Sequence, residues 1–401
     1  MIQKGSHLKI TDGSNLITHL NSMKKTSTLI IGAGPMGLAL ASRLMKKDIP
    51  FLVLEKGSSP GNNMRQWGHV PLFTNWAESV DPLSMELLEE RGVSFHLPDS
   101  HPRGAEFAKE YLGRIATIIP DHQIQCKAEV SSIQYNSSSK SFEVRYEDGG
   151  DHMMVRSTFL FDASGTWQSP TPLLPHQDSL LPTPETNIPN KEDVGTIAEG
   201  SRVAVIGGGH SAMNSLLFLS EREDLKLCWL IRAEQPRFGK SKVGGKSAQL
   251  EKQIQSLISD GRVELITNFD TQSIEQSDGS FTILSQNGQR VEGIHKIISN
   301  IGFSPDHGLV KNFELRLDDT YDCPFHLSDK INPALHSCDS VSYGFQDTLA
   351  TDLPYYLIGS KTFGKASNFL LSKGYSILDE MMESIDFTQG QIAEKKSTST
   401  T

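Results

Sequence analysis

Apolar and polar positions fall twice into the same order along the chain. Residues 27–44, STLIIGAGPMGLALASRL, pass from an unbroken apolar run through a glycine-rich turn into apolar residues at helical spacing. Residues 201–219, SRVAVIGGGHSAMNSLLFL, repeat the pattern. A short apolar run bounded by glycine predicts a buried strand, and the 3.6-residue spacing after it predicts an amphipathic helix. PFLVLEKG follows the first unit as a second buried strand ending at Glu55, and LKLCWLIR follows the second unit, with Arg232 at its end. Each half then continues into β-rich runs broken by turns. In the first, residues 128–165 predict an antiparallel meander returning to the buried strand FLFDASG. In the second, a helix near KSAQLEKQIQSLISDG precedes a meander that ends in SNIGFSPD.

This is an internal repeat of domain size. Six prolines in residues 169–193 disfavour regular ladders and suit a connection between domains. The last segment, DLPYYLIGSKTFGKASNFLLSKGYSILDEMMESI, predicts a buried strand, a loop and an amphipathic helix that Ser367 would cap. It has no counterpart after the second unit, so it is expected to return to the first. The predicted fold is α/β, with two Rossmann-like, three-layer ββα dinucleotide-binding domains, the second inserted in the first. The expected boundaries are a loose tail at 1–25, a first domain at 26–190, a second at 195–298, the return at 299–388 and a loose tail at 389–401.

Composition narrows this reading only by exclusion. The 401 residues carry 38 Lys and Arg against 48 Asp and Glu, a net charge of −10. No broad basic surface is therefore expected for nucleic acid or an anionic membrane. The four cysteines, Cys126, Cys228, Cys323 and Cys338, are dispersed without a C-x-x-C pair, which predicts neither a metal site nor a disulfide framework. Residues 1–25 lack the apolar core of a secretory signal, and the apolar stretch 29–44 contains a glycine turn, so a cytoplasmic protein is expected. The oligomeric state stays open, a homodimer included.

The glycine turns carry the chemistry. Gly32-x-Gly34-x-x-Gly37 puts glycine where a backbone must approach a pyrophosphate and where helix packs on strand, with the helix N-terminus facing the phosphates. Glu55, at the next strand end, is spaced to hold ribose hydroxyls. In Gly207-x-Gly209-x-x-Ala212 the corresponding residue is Arg232, a cation that attracts a 2′-phosphate, so NADPH is expected over NADH. Arg237, Lys240 and Lys242 reinforce it and Glu234 partly offsets it.

Over residues 26–386 this layout resembles the flavoproteins with two dinucleotide-binding domains, namely the thioredoxin- and glutathione-reductase superfamily and the related flavin-containing monooxygenases. FLFDASGTW (159–167) is similar to the first segment that crosses between domains, IISNIGFSPD (297–306) to the second, and TDLPYYLIGS (351–360) to the motif touching the flavin ribityl chain, with Ser360 in place of the usual Asp. The resemblance implies FAD in the first domain and NADPH in the second. It adds Pro35, Met36, Lys56, Arg65, Trp67, Val130, Ala163, Ser164, Gly165, Gly302, Gly359, Ser360 and Asn368 to the expected cofactor contacts, and His210 and Ser211 to those of the second turn. It also implies a helix opening near residues 365–368 that points at the flavin pyrimidine edge.

Two branches of the resemblance differ in chemistry. The reductases carry a dithiol that this chain lacks, although a single thiol, Cys338, precedes the flavin-contact segment. The monooxygenases need none, since a flavin C4a-hydroperoxide made from NADPH and O2 attacks a small organic or soft heteroatom substrate. Their histidine-containing fingerprint is missing from residues 184–206, while GNNMRQWGHVPLFTNW (61–76) takes the place of their G-G-x-W segment. Trp67 and His69 from that stretch, with Lys361 and Cys338, are the candidate catalytic residues. Trp67, His69 and Cys338 have plainer readings as core packing, a structural histidine and a small buried hydrophobe. A monooxygenase is the expected activity. A thiol, disulfide or quinone reductase and a redox sensor with little turnover are the alternatives.

Overall fold

The computed structural model describes residues 24–174, 184–238, 244–333, 335–336, 340–388 and 391–392. Cys338, Lys240 and Lys242 lie outside them, as do most of the two expected tails. The first sheet has seven strands: β1 (Lys24–Ile31), β2 (Phe51–Glu55), β3 (Ile124–Cys126), β4 (Ala128–Asn136), β5 (Ser141–Asp148), β6 (Asp151–Asp162) and the late strand from Tyr355 to Leu357. Their order is β3-β2-β1-β6-β5-β4, and the late strand lies parallel to the end of β6, with Leu357 opposite Asp162. β1, β2 and β3 are parallel neighbours, whereas β4, β5 and β6 form the antiparallel meander.

Side chains alternate faces along a strand, and both faces of β1, β2 and β6 are apolar. Ile30, Val53, Phe159 and Phe161 pack on one side against helices α1 (Pro35–Lys46) and α2 (Pro82–Glu90) and the C-terminal helix Leu371–Ser384. Leu29, Ile31, Leu52, Leu54 and Leu160 pack on the other against Ile133, Phe142, Val144 and Tyr146 of the meander. This makes three layers, with the parallel strands in the middle. A buried pair locks the helical layer: Arg43 of α1 donates to both oxygens of Asp81, the N-cap of α2, at 2.9 and 3.1 Å, and to Asp379 of the C-terminal helix at 2.8 Å.

The second unit follows the same plan. Parallel strands β7 (Arg202–Ile206), β8 (Lys226–Leu230), β9 (Val263–Ile266) and β13 (Lys296–Ser299) are ordered β13-β7-β8-β9. Val203, Val205, Leu227 and Trp229 face α3 (His210–Ser220) and α4 (Gly244–Ser259). Ala204, Ile206, Cys228 and Leu230 face the meander β10 (Thr271–Ser277), β11 (Ser280–Ser285) and β12 (Arg290–Ile294). The chain thus holds two such domains, and the late strand, numbered β14, returns it to the first sheet. That return makes the second domain an insertion in the first. Among the described residues no helix is long and apolar enough to cross a membrane.

Candidate functional site

The first glycine turn joins β1 to α1, and its three glycines have different surroundings. A Cβ on Gly32, where φ is +99°, would come within 2.7 Å of the Ala163 carbonyl oxygen, and one on Gly37 within 2.0 Å of that of Gly32. These two are required by the fold itself. A Cβ on Gly34 would meet nothing within 4 Å, so this position is open toward a ligand. Gly34 is also the N-cap of α1, no side chain caps the helix, and Pro35 lacks an N–H. The remaining N–H groups of the first turn suit a phosphate, as the helix dipole does. Glu55, at the end of β2, accepts from the backbone N–H of Ala33 at 2.8 Å and of Gly57 at 2.7 Å, which fixes its carboxylate beside the turn. Met36 wedges against Gly359 and Gly374, tying α1 to the return segment.

The second turn is built alike. Gly207, at φ +131°, would clash with the Asn300 carbonyl oxygen at 2.2 Å, whereas Gly208 and Gly209 are open and exposed. Ala212 is buried in the helix packing and Ser211 is half-buried. His210 opens α3 with its ring 4.6 Å from that of Phe73, its Nε2 3.2 Å from Ser247 Oγ and 3.7 Å from Glu251 Oε1. Burial holds its imidazole below the ordinary value, partly offset by Glu251. Arg232 and Arg237 are exposed beyond the end of β8, and among the described residues neither forms an ion pair. Those cations are free to meet an anion.

Where β6 and β14 end side by side, a polar cluster lies beneath their turns. Asp162 and Lys361 form a buried ion pair at 2.7 Å, with side chains 3% and 4% exposed. Asp162 also accepts from Ser164 N and Oγ and from the Tyr355 hydroxyl, at 3.1, 2.6 and 3.0 Å. Burial alone pushes the Asp162 carboxyl up, but the Lys361 charge and the donors of Lys361 and Ser164 outweigh it and hold the group below its usual range. Lys361 is therefore a buried partner of Asp162. The neighbouring His307 has both ring nitrogens buried without a hydrogen-bond partner among the described residues, although Asp322 Oδ1 lies 3.8 Å from its Nε2, and burial lowers its pKa, assisted by the Lys361 charge.

The other expected contacts are scattered around this centre. Gly165 and Gly359 turn at φ +72° and +76°, and a Cβ on Gly165 would lie 3.5 Å from Ser360 Oγ. Lys56 pairs with Glu129 at 2.7 Å, Val130 is half-buried among the meander's apolar residues, and exposed Arg65 donates to the Ala108 carbonyl. The C-terminal helix starts at Leu371, later than the expected 365–368, and its N-cap is Leu370 without a side-chain cap. Ser367 therefore does not cap it. Asn368 instead donates to the Ile331 carbonyl at 3.0 Å from a buried position, because residues 359–363 form a 3-10 turn first.

Trp67 and His69 part company. Trp67 lies 6.3 Å from Trp167, which lies 4.9 Å from Phe303, so the three rings join the 61–67 segment to both domain crossings. Beside them a small cavity is lined by Trp167, Ser211, Ser299, Asn300, Gly302 and Phe303, among others. His69 points instead at Phe218 of α3, ring to ring at 5.3 Å, and burial lowers its pKa. It is an interdomain contact. Sequence reasoning did not single out Asp162, Tyr355 or His307. Only the small-residue turn after Asp162 marked the place.

Two dinucleotide cradles facing a shared crossing region define a two-nucleotide oxidoreductase fold. The family described as pyridine nucleotide-disulphide oxidoreductase matches residues 29–329, and the chain belongs to it. No curated protein matches it by sequence. Among solved structures it is similar to the bacillithiol disulfide reductase Bdr of Bacillus cereus, with TM-score 0.66, 18% identity, and coverage of 90% of this chain and 98% of that one. A flavin monooxygenase mutant from Stenotrophomonas maltophilia gives 0.62 at 17% identity, covering 90% and 98%. An ornithine N-hydroxylase of Kutzneria, solved with reduced FAD, NADP+ and L-ornithine, gives 0.59 at 15%, again covering 90% and 98%. At such identities the shared property is the fold.

Proposed function

We propose that the protein is a cytoplasmic, FAD-containing, NADPH-dependent monooxygenase that uses O2 on a small organic or soft heteroatom substrate. The observation that carries this reading is the contrast between the cradles: a carboxylate, Glu55, is fixed by two backbone N–H groups beside the first, whereas Arg232 and Arg237, which form no ion pair among the described residues, stand beside the second. An acid suits ribose hydroxyls and a cation a 2′-phosphate. In the first cradle Gly34, the N-terminus of α1 and Glu55 would hold the adenine-nucleotide half of FAD, and the turns at 163–165 and 359–360 its flavin half. In the second, residues 207–211 would hold the NADPH pyrophosphate. FAD bound in the first cradle would supply hydride acceptance and O2 activation. The chain's own part is to orient the two nucleotides across the crossings and, through Trp67, Trp167 and Phe303, to exclude water.

The family's description and the likeness to Bdr favour a second reading, an NADPH-dependent thiol, disulfide or quinone reductase. Against it, the described cysteines stand singly, and burial pushes the thiols of Cys228 and Cys323 up to about 12. The test supplies the FAD-loaded protein with NADPH, isotopically labelled O2 and a panel of thioethers and primary amines. Label in a product is the expected result. NADPH oxidation that accelerates with a quinone or disulfide and leaves every product unlabelled would establish the reductase, and no NADPH consumption with any acceptor would leave a sensor.

A further inference from the structure

We propose that Lys361 is a positioning residue of the first cradle: its ammonium, held on Asp162, fastens the 163–165 turn to the 359–360 turn and sets a buried positive charge against the strand ends where the flavin binds. The inference rests on FAD occupying the first domain. It starts from the register, in which β6 and β14 run parallel and Asp162 lies opposite Leu357. Ligands of open α/β sheets bind at the carboxyl ends of such strands. Both chains leave through glycines at positive φ, and the two turns approach until Ser360 Oγ is 3.5 Å from a Gly165 Cβ position.

Beneath that meeting point Lys361 Nζ donates to Asp162 Oδ2 at 2.7 Å and to Ser164 Oγ at 3.1 Å, so a single ammonium joins β6, the first turn and the second. An ammonium has three N–H donors. These contacts use two, which leaves one at a strand end. The carboxylate is already supplied with three further donors from Ser164 and Tyr355. The acid expected at position 360 is a serine here, which removes a negative charge from the same spot. A flavin gains negative charge on reduction, so a cation placed there binds the reduced form more tightly than the oxidised form.

The experiment uses the full chain stripped of flavin. FAD affinity is measured by fluorescence quenching, and the midpoint potential of the bound flavin by spectroelectrochemistry. Lys361→Met is expected to weaken FAD about tenfold and to lower the ratio of reduced to oxidised affinity by a further tenfold. For a two-electron couple that is a downward shift of about 30 mV. Asp162→Asn, which leaves the cation unopposed, is expected to shift the potential upward, and Lys361→Arg to stay near wild type. Opposite signs for the two partners are something a merely structural role does not produce. Folded variants that shift together, or not at all, overturn the inference. If Lys361→Met does not fold, the double variant Asp162→Asn/Lys361→Met leaves no stranded charge. It is then expected to lose tenfold in FAD affinity, and wild-type affinity would overturn the inference. Failure of the wild-type chain to bind FAD would instead overturn the cofactor reading itself.

Discussion

At the scale of single residues, the proposed choice of nucleotide in each cradle rests on charge placement. Arg232 stands exposed after β8 without an ion-pair partner among the described residues. On the proposed reading its guanidinium is the group that a 2′-phosphate, absent from NADH, would meet. Arg232→Ala is expected to raise KM for NADPH about tenfold, the effect of losing one charge-assisted contact of roughly 1.4 kcal/mol, and to leave KM for NADH nearly unchanged. Steady-state kinetics with both nucleotides check this, and equal effects would refute the phosphate role. Histidines carry a second prediction. Burial holds His69, His210 and His307 below their ordinary value of 6.5, so the unfolded chain takes up protons that the native one refuses. Stability is then complete above about pH 6.5 and is lost as pH falls from there toward the folded values. The melting temperature should be level from pH 8 to 7 and drop by several degrees between pH 6.5 and 5, less steeply in His307→Gln. A flat profile through that range would show that none of the three histidines is coupled to folding. Glu55 and Arg232 were legible in the sequence because each lies a fixed distance past its own glycine turn. The Asp162–Lys361 pair was not, since it joins residues 199 apart that meet only once β14 docks beside β6.

At the scale of elements, a strand–turn–helix unit serves the fold and the ligand through different glycines. Gly37 is packed so closely under Gly32 that any side chain strikes backbone, while Gly34 opens on free space at an extended φ of −79°. Gly37→Ala is therefore expected to destabilise the first domain, with a loss of about 1–3 kcal/mol. Gly34→Ala should melt within about 1 kcal/mol of wild type, yet bind FAD at least tenfold more weakly, because its methyl occupies the approach of the pyrophosphate. Chemical denaturation and flavin titration on both variants separate the two effects. If Gly34→Ala binds FAD normally, the open side of the turn is not where the pyrophosphate lies. Periodicity placed α1, α3 and α4 correctly because each has an apolar face that a strand-side core needs. It placed the start of the C-terminal helix too early, since Ser367 is as good a cap by type as any residue. What displaced the start was the 3-10 turn Gly359–Phe363 and the anchoring of Asn368 on Ile331, contacts made with distant chain.

At the scale of the whole molecule, the two domains keep separate cores. Buried apolar residues of the first run from Leu29 to Phe161 and from Val310 to Ile385, and those of the second from Leu174 to Ile298. The two crossings between them run side by side as a short antiparallel ladder. Pro170 bridges Phe303, Thr171 N–H donates to the Gly302 carbonyl at 3.0 Å, and Ser304 N–H donates to that of Ser169 at 2.9 Å. Thr171 and Gly302 therefore already face each other as the closing pair of a hairpin does, and a two-residue Asn-Gly turn is the natural closure. Replacing residues 172–301 by Asn-Gly should leave a chain that melts cooperatively, since it keeps every buried apolar residue of the first domain and shortens the loop to be closed. Trp167 and Phe303 both remain and still pack together, whereas His69 loses its partner Phe218 and Phe73 its partner His210, and both become exposed. With the first cradle and the Asp162–Lys361 pair intact, the shortened protein should bind FAD within about threefold of the full chain, a difference under 1 kcal/mol, and should no longer bind NADP+. Circular dichroism on heating and flavin titration give the answer. A shortened chain that melts without cooperativity would mean that the Phe73 and His69 contacts are part of the first domain's folding unit. One that folds but loses FAD would mean that the second domain completes the flavin site.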